Sequence, residues 1–354
     1  MIGEAKPYRR CLVMAGGGGR LGVHLGLHAA ACEAGCAPDV LVGTCGGALV
    51  AALVHAEPDP ARQLAWLAGP QMLAFWHAVR ARRGASPAAA LRGVVGRAFD
   101  RRLAPHVPDL EGDALYEVAG DWPALAWRAG GAPDVVVLGA RLLYAAQEAG
   151  TRRGDRALFE TVALGSARAV EALRGAPAAT GTGASPGSAI APRIAVVDDA
   201  AVALGDAVRI SLTDMVYLPP AEALGARWLG GAVDLMPVEL ASRLAPAVWI
   251  DRKDPIPPWT MAPAWRAVLG IDGARRQRAV DAARVALRSD HRGLSRALPA
   301  PVLRRGLGRV DGRWALALAA STGAHDYRRL VHAQFEEGRR RAQAAWAAQG
   351  GRER

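Results

Sequence analysis

The sequence predicts an α/β protein built on a mostly parallel central sheet, with a helical insertion and a helical C-terminal extension. Two apolar runs, CLVM at residues 11–14 and DVLVG at residues 39–43, have the length and composition of buried strands. Each passes through a glycine-rich turn into a segment of helical spacing, and strand, helix, strand, helix in the first sixty residues is the signature of a parallel sheet. A hydrophobic content of 51% over 354 residues provides for a sizeable core.

In chain order, CLVM is stopped by the glycines at 16–19, after which LGVHLGLHAAACEAG reads as a helix ending at Gly35. DVLVG meets Thr44-Cys45-Gly46-Gly47 and runs into ALVAALVHAE, closed by Pro58 and Pro60. Residues 61–130 read as a helical insertion punctuated by Pro87, Pro105, Pro108 and Pro123. DVVVLGARLL (134–143) is a third buried strand, and RALFETVALGSARAVEAL (156–173) reads as a helix. RGAPAATGTGASPGSAIAP (174–192) has a loop composition, with short strands expected around 193–197 and 208–212. APAVWID (245–251) is a further strand, and residues 260–354 form a basic helical extension that includes DYRRLVHAQFEEGRRRAQAAW. The whole reads as one domain over 1–354, with its sheet core in 8–58 and 130–255.

The net charge is +11, yet 42 of the 44 basic residues are arginine, in a chain rich in Ala, Gly and Pro, which points first to coding bias. No nucleic-acid-binding module accompanies the charge, so no nucleic-acid partner is expected. All four cysteines, Cys11, Cys32, Cys36 and Cys45, lie in the first 45 residues, which fits a reducing compartment better than a secreted framework. No export signal or spanning segment is evident, so a cytoplasmic protein is expected, with peripheral contact to an anionic membrane left open.

Gly43-Thr44-Cys45-Gly46-Gly47 has the G-x-S-x-G layout of a nucleophile elbow with cysteine at its centre. That turn needs a strand before it, glycines that permit a strained backbone, and a helix whose N-terminus sits beneath the nucleophile; all three are present. The bland alternative is a glycine-rich turn around a small buried cysteine. The other loop, Gly16-Gly17-Gly18-Gly19-Arg20, suits backbone N–H groups aimed at an anion. Gly17, Gly19 and Gly22 also match a dinucleotide-binding G-x-G-x-x-G, but the acid expected at the end of the next strand is at its start, Asp39, which makes this a distant alternative. An oxyanion hole is the better reading.

Together these segments resemble the patatin-like phospholipase family. CLVMAGGGGRLGVHLG is similar to its first strand and oxyanion loop, PDVLVGTCGGALVAALVHA to its nucleophile elbow, and RWLGGAVDLMPVELA to the segment carrying its Asp-Gly-Gly motif. The resemblance implies a patatin-like α/β/α sandwich, a Ser-Asp dyad, a lipid or acyl-ester substrate and no cofactor or metal. It places Cys45 at the nucleophile position, Leu229 where the family has its Asp, Gly17, Gly18 and Gly19 as oxyanion donors, Arg20 as an anion-binding residue, and Gly43 and Gly47 as the elbow glycines. Leucine cannot accept a proton, so the dyad as the family uses it is missing. Two functions follow: a lipid-binding pseudoenzyme that acts in lipid metabolism with impaired or lost dyad chemistry, or an esterase, phospholipase or acyltransferase that depends on the Cys45 thiol. A thiol can ionise where a serine hydroxyl cannot, and a helix N-terminus is expected to lower its pKa, but hydrolysis of the resulting thioester needs a base that the sequence does not reveal. Asp234, five residues beyond Leu229, aligns outside the dyad.

The spacing of the four cysteines lacks the paired ligands of a zinc module, and His24 with His28 reads as structural. Arg328, Arg329, Arg339, Arg340 and Arg341 could rest on anionic lipid, but the interleaved Leu330, Val331 and Phe335 favour docking of that helix on the sheet layer.

Overall fold

The computed structural model describes residues 5–82, 104–130, 133–178, 193–256, 261–310, 313–320 and 323–350. Its central sheet is assembled from β1 (Arg10–Met14), β2 (Val40–Gly43), β5 (Asp134–Leu142), β6 (Phe159–Gly165), β7 (Ala195–Asp198), β10 (Ala247–Arg252) and β11 (Leu287–Asp290), in the order β11-β10-β1-β2-β5-β6-β7. Off this path, β9 (Ala226–Leu229) pairs antiparallel with the far end of β5, and β8 (Ala221–Ala223) pairs with β9. The five strands from β11 to β5 are mutually parallel, β6 turns back antiparallel to β5, and β7 follows β6. Short strands β3 (Val79–Ala81) and β4 (Tyr116–Val118) form one separate antiparallel ribbon, and β12 (Leu303–Val310) and β13 (Arg313–Ala320) another.

Strand alternation explains the three layers, because successive side chains point to opposite faces. Cys11, Val13, Val40, Val42, Val136 and Leu138 enter one apolar cluster, with Val238, Ala241 and Leu244 of helix α6 (Val238–Leu244) and Val280 of α7 (Gly273–Ala282). Leu12, Met14, Leu41, Val135 and Val137 enter the other, beneath α1 (Leu21–Glu33), α2 (Gly46–Ala56), α3 (Pro60–Leu67), α4 (Pro70–Ala78), α5 (Leu204–Leu212) and the long α8 (Ala324–Gly350). Since both faces are covered, the strands read as continuous apolar runs rather than alternating ones. In register, Met14 lies beside Gly43 and Gly43 beside Val137, so the first two strands end level with each other. Their two glycine-rich loops therefore emerge side by side at the carboxyl edge of the sheet, where open α/β sheets form their sites.

Helix α8 packs along α1 rather than lying free. A Cβ on Gly26 would come within 2.1 Å of the Phe335 carbonyl oxygen, one on Gly22 within 2.6 Å of the Val331 carbonyl oxygen, and one on Gly338 within 2.3 Å of the Val23 carbonyl oxygen. Leu330 and Val331 are buried, as docking of the helix requires. Gly22 is thus a packing glycine.

The structure corrects several local expectations. Residues 156–173 are not one helix: β6 occupies most of the segment and only Ala167–Glu171 is helical, because β-branched and aromatic Phe159, Thr161 and Val162 pair with β5 and β7. Residues 208–212 close helix α5, whose buried Leu204, Ala207, Val208 and Ile210 follow helical rather than alternating spacing. In the insertion, α3 and α4 are helical but no helix occurs in the described residues 104–130, where β4 pairs with β3; residues 83–103 lie outside the described residues. The C-terminal extension is only partly helical, since it adds β11 to the central sheet and the β12–β13 hairpin beside it. Most of the expected loop at 174–192 also falls outside the described residues.

The α1–α8 contact sets a testable contrast. Gly26→Val should lower the unfolding free energy by about 3 kcal/mol, because a backbone must be displaced to admit the side chain. Gly205→Ala, whose Cβ would meet nothing closer than 3.7 Å, should stay within about 0.5 kcal/mol of wild type or exceed it. Urea denaturation of the two variants measures both, and equal losses would contradict the close packing.

Candidate active site

Cys45 sits between β2 and α2 with φ 50° and ψ −126°, a positive φ that non-glycine residues seldom adopt. The flanking glycines make this turn sterically feasible. A Cβ on Gly43 would lie 2.6 Å from Ala48 Cα, and one on Gly47 would lie 1.9 Å from the Met14 carbonyl oxygen. Strain of this kind is sustained where surrounding packing over-determines it. Here the neighbouring Thr44 helps: its Oγ1 accepts from Gly16 N at 3.0 Å and donates to the Leu235 carbonyl at 3.0 Å, tying the elbow to the glycine loop. The Cys45 N–H donates to Ser211 Oγ at 3.0 Å.

The thiol has a carboxylate partner. The Asp214 side chain, which lies just beyond α5, stands next to the Cys45 thiol and interacts with it, and Asp214 Oδ1 accepts the Ala232 N–H at 2.9 Å. Burial pushes the Asp214 carboxyl up to about 6, against the opposing pull of the thiol and Ala232 hydrogen bonds. Cys45 itself is raised well above an ordinary thiol, by burial first and then by the negative charge of Asp214, while the N–H groups of Gly46 and Gly18 pull the other way. A helix N-terminus alone predicts the opposite direction for this thiol. Desolvation and an adjacent carboxylate outweigh it.

Leu229 is fully buried at the end of β9 and packs in the core, so the position aligned with the family's acid holds a hydrophobic side chain in a hydrophobic place. The acid comes instead from the adjoining loop. Gly230 N donates to the Thr213 carbonyl at 2.8 Å, clamping the end of β9 to the segment that carries Asp214. A Cβ on Gly230 would lie 2.6 Å from Asp214 Oδ1, and one on Gly231 would lie 2.7 Å from Cys45 N, so both glycines leave space for this arrangement. Asp214 was not legible from spacing, because its segment carries no recognisable pattern and reads as a strand end.

The other expected residues divide. Gly18, exposed and at φ 57°, brings its N–H to the Cys45 sulfur, whereas the second such N–H comes from Gly46, the residue after the nucleophile. Gly19 faces Val302, and its carbonyl accepts from Gln334 Nε2 at 3.1 Å; Gly17 rests on a buried polar cluster. A Cβ there would lie 3.3 Å from His24 Nε2 and 3.5 Å from Lys253 Nζ. Lys253 pairs with buried Asp251 at 2.7 Å, and His291, held by Ser289 at 2.8 Å, approaches the same carboxylate at 3.5 Å. Burial works against ionisation of Asp251, but Lys253 and His291 hold it charged, while burial and then the Lys253 charge push His24 down to about 3. His24 is accordingly a neutral support beneath the loop. Arg20 points away from Cys45 and donates to Ser295 Oγ at 2.6 Å. Asp234 is a structural acid, buried against Arg276 at 3.0 Å.

No group of three or more His, Cys, Asp or Glu suited to a metal occurs among the described residues, and the cysteines there are free thiols.

The raised Asp214 carboxyl has a consequence for stability. Because its native pKa of about 6 exceeds the ordinary 3.8, the folded state binds the proton more tightly, so burying the carboxylate costs stability above pH 6 and that cost disappears as pH falls through 3.8. Wild type should therefore gain stability relative to Asp214→Asn between pH 7 and pH 4. Paired thermal melts at the two pH values check the sign, and the reverse slope would mean that the carboxylate is favoured as an ion.

The patatin-like phospholipase family profile matches residues 12–242. No curated protein matches the sequence. Among known structures, the chain is similar to VipD from Legionella pneumophila at 10% identity and a TM-score of 0.33, over 70% of this chain and 50% of that one. The chain thus spans about half the length of VipD. No helix among the described residues is long and apolar enough to cross a membrane. With its three-layer sandwich, mostly parallel sheet and family match over well above half its length, the chain belongs to the patatin-like phospholipase family.

Proposed function

We propose that this protein is a thiol-dependent acyl hydrolase acting on lipid acyl esters, with Cys45 as nucleophile and Asp214 as its base. The observation that carries the reading is the buried Asp214 carboxyl beside the Cys45 thiol, at a strand-to-helix turn with positive φ. Family membership supports the substrate class.

The chemistry is that of a two-residue dyad. Asp214, a carboxylate above pH 6, takes the thiol proton as sulfur attacks the acyl carbonyl, so a buried neutral thiol need not ionise in advance. The oxyanion forms where the N–H groups of Gly18 and Gly46 already converge on the sulfur. As the tetrahedral species collapses, the carbon–oxygen bond breaks, the leaving alkoxide takes the proton from Asp214, and a thioester remains on Cys45. Asp214, relieved of its thiol partner, then accepts a proton from water attacking the thioester. When the carbon–sulfur bond breaks, that proton returns to sulfur and the free acid departs. The pseudoenzyme reading rested on the absence of a base at Leu229, and Asp214 supplies the missing carboxylate from another loop.

Incubation with a p-nitrophenyl ester of a medium-chain acid, followed by intact-mass spectrometry and acid release, tests the dyad. Wild type should release acid continuously, and Cys45→Ala should form neither adduct nor acid. Asp214→Asn should slow deacylation by roughly 10² or more, so that the thioester accumulates. An inert wild type with a folded, monodisperse profile would favour the lipid-binding pseudoenzyme. Equal turnover in Asp214→Asn would remove Asp214 from the chemistry.

A further inference from the structure

We propose that the β12–β13 hairpin is a docking strip for an anionic lipid bilayer. The inference concerns binding, and it stands or falls independently of turnover at Cys45.

The hairpin leaves the body of the protein beside the glycine loop. Val302, the residue before β12, packs against Gly19, and Ser295 on the preceding turn receives Arg20. From there the two strands run in antiparallel register from Leu303 opposite Ala320 out to Val310 opposite Arg313. At about 3.3 Å per residue, the strip carries the chain roughly 23 Å from the glycine loop to its tip. Its base is anchored, since Leu303, Leu318 and Ala320 pack on the apolar cluster and β13 lies against α4 and β3.

Toward the outer end, Arg309 and Trp314 are exposed. Trp314 is 59% exposed, and the Arg309 guanidinium lies over its ring, 5.6 Å from the centroid. Arg304 and Arg296 are exposed along the same stretch. Residues 303–320 contain four arginines and one acid, Asp311. An indole has an apolar ring and one polar N–H, and it resides best at the boundary between headgroups and acyl chains. Arginines beside it add attraction to anionic headgroups. Such a pairing on a solvent-facing ribbon is costly in water and matched at a bilayer surface.

Four of the five arginines of α8, the other basic element, are paired with acids of the protein. Arg339 pairs with Glu33 and Glu336, Arg340 and Arg341 pair with Glu337, and Arg329 pairs with Asp326. The cationic surface available to lipid is thus the hairpin rather than the helix. Its continuity with the glycine loop would hold a bilayer close to the mouth of the Cys45 site.

Co-sedimentation with sucrose-loaded vesicles tests this. The full chain should bind vesicles containing phosphatidylglycerol, bind pure phosphatidylcholine at least tenfold more weakly, and lose anionic binding in high salt. Trp314→Ala and the double variant Arg304→Glu/Arg309→Glu should each weaken anionic binding about tenfold or more, whereas Arg340→Glu on α8 should not. Hydrogen exchange of the unaltered protein should show protection over 303–320 when anionic vesicles are added, a readout that does not depend on any variant folding. Wild-type levels of binding in both hairpin variants, no protection over 303–320, or no binding to anionic vesicles would each overturn the proposal. Concentration-dependent self-association abolished by Trp314→Ala, or binding to duplex DNA in preference to vesicles, would reassign the strip to a second copy or to nucleic acid and overturn it likewise.

Discussion

The turn at Cys45 is the constraint on which the rest of the site depends. A strand must reverse into a helix within one residue, and the residue that does so adopts a left-handed backbone that only tight surroundings can hold. Gly43 and Gly47 allow the backbones of β1, β2 and α2 to approach within distances that a Cβ would forbid. Level endings of β1 and β2 then bring the glycine loop alongside, and Thr44 stitches the two loops through Gly16 and Leu235. Every polar group that addresses the sulfur is positioned by this geometry.

The carboxylate illustrates how a fold can preserve a contact while changing its source. Leu229 completes the core at the end of β9, where a buried acid without partners would be costly. Asp214 reaches the thiol from a segment hydrogen-bonded to the following glycine, and its own desolvation is offset in part by the Ala232 N–H and the thiol. A serine-to-cysteine change lowers the demand on the base, because a thiol is far more acidic than a hydroxyl in water. Burial and the neighbouring carboxylate reverse much of that advantage here.

Beneath the glycine loop lies a second layer of support. Lys253, one of only two lysines, is held by Asp251 and stands with His24 directly under Gly17. From α8, the buried Gln334 accepts from Gly22 N and donates to the Gly19 carbonyl. The C-terminal helix therefore does more than cover the sheet. It pins the C-terminal end of the loop that faces Cys45, through a contact with α1 so close that glycine is required on each helix.

The sequence by itself determined the local features: strands β1, β2, β5 and β10, helices α1 and α2, the elbow around Cys45 and the glycine loop, because these depend on apolar runs and turn residues within short stretches of chain. It also determined that Leu229 could not serve as a base. Tertiary structure decided what depends on partners far apart in the chain. Segment 156–173 became mainly strand because pairing with β5 and β7 overrode a helix-like pattern. The direction of the Cys45 shift depended on burial and on a carboxylate that no motif marks, and Gly46 rather than Gly17 or Gly19 joined Gly18 at the sulfur. Periodicity records which face of an element is buried, but Asp214 stands beside the Cys45 thiol only once β9, α5 and the elbow have packed together.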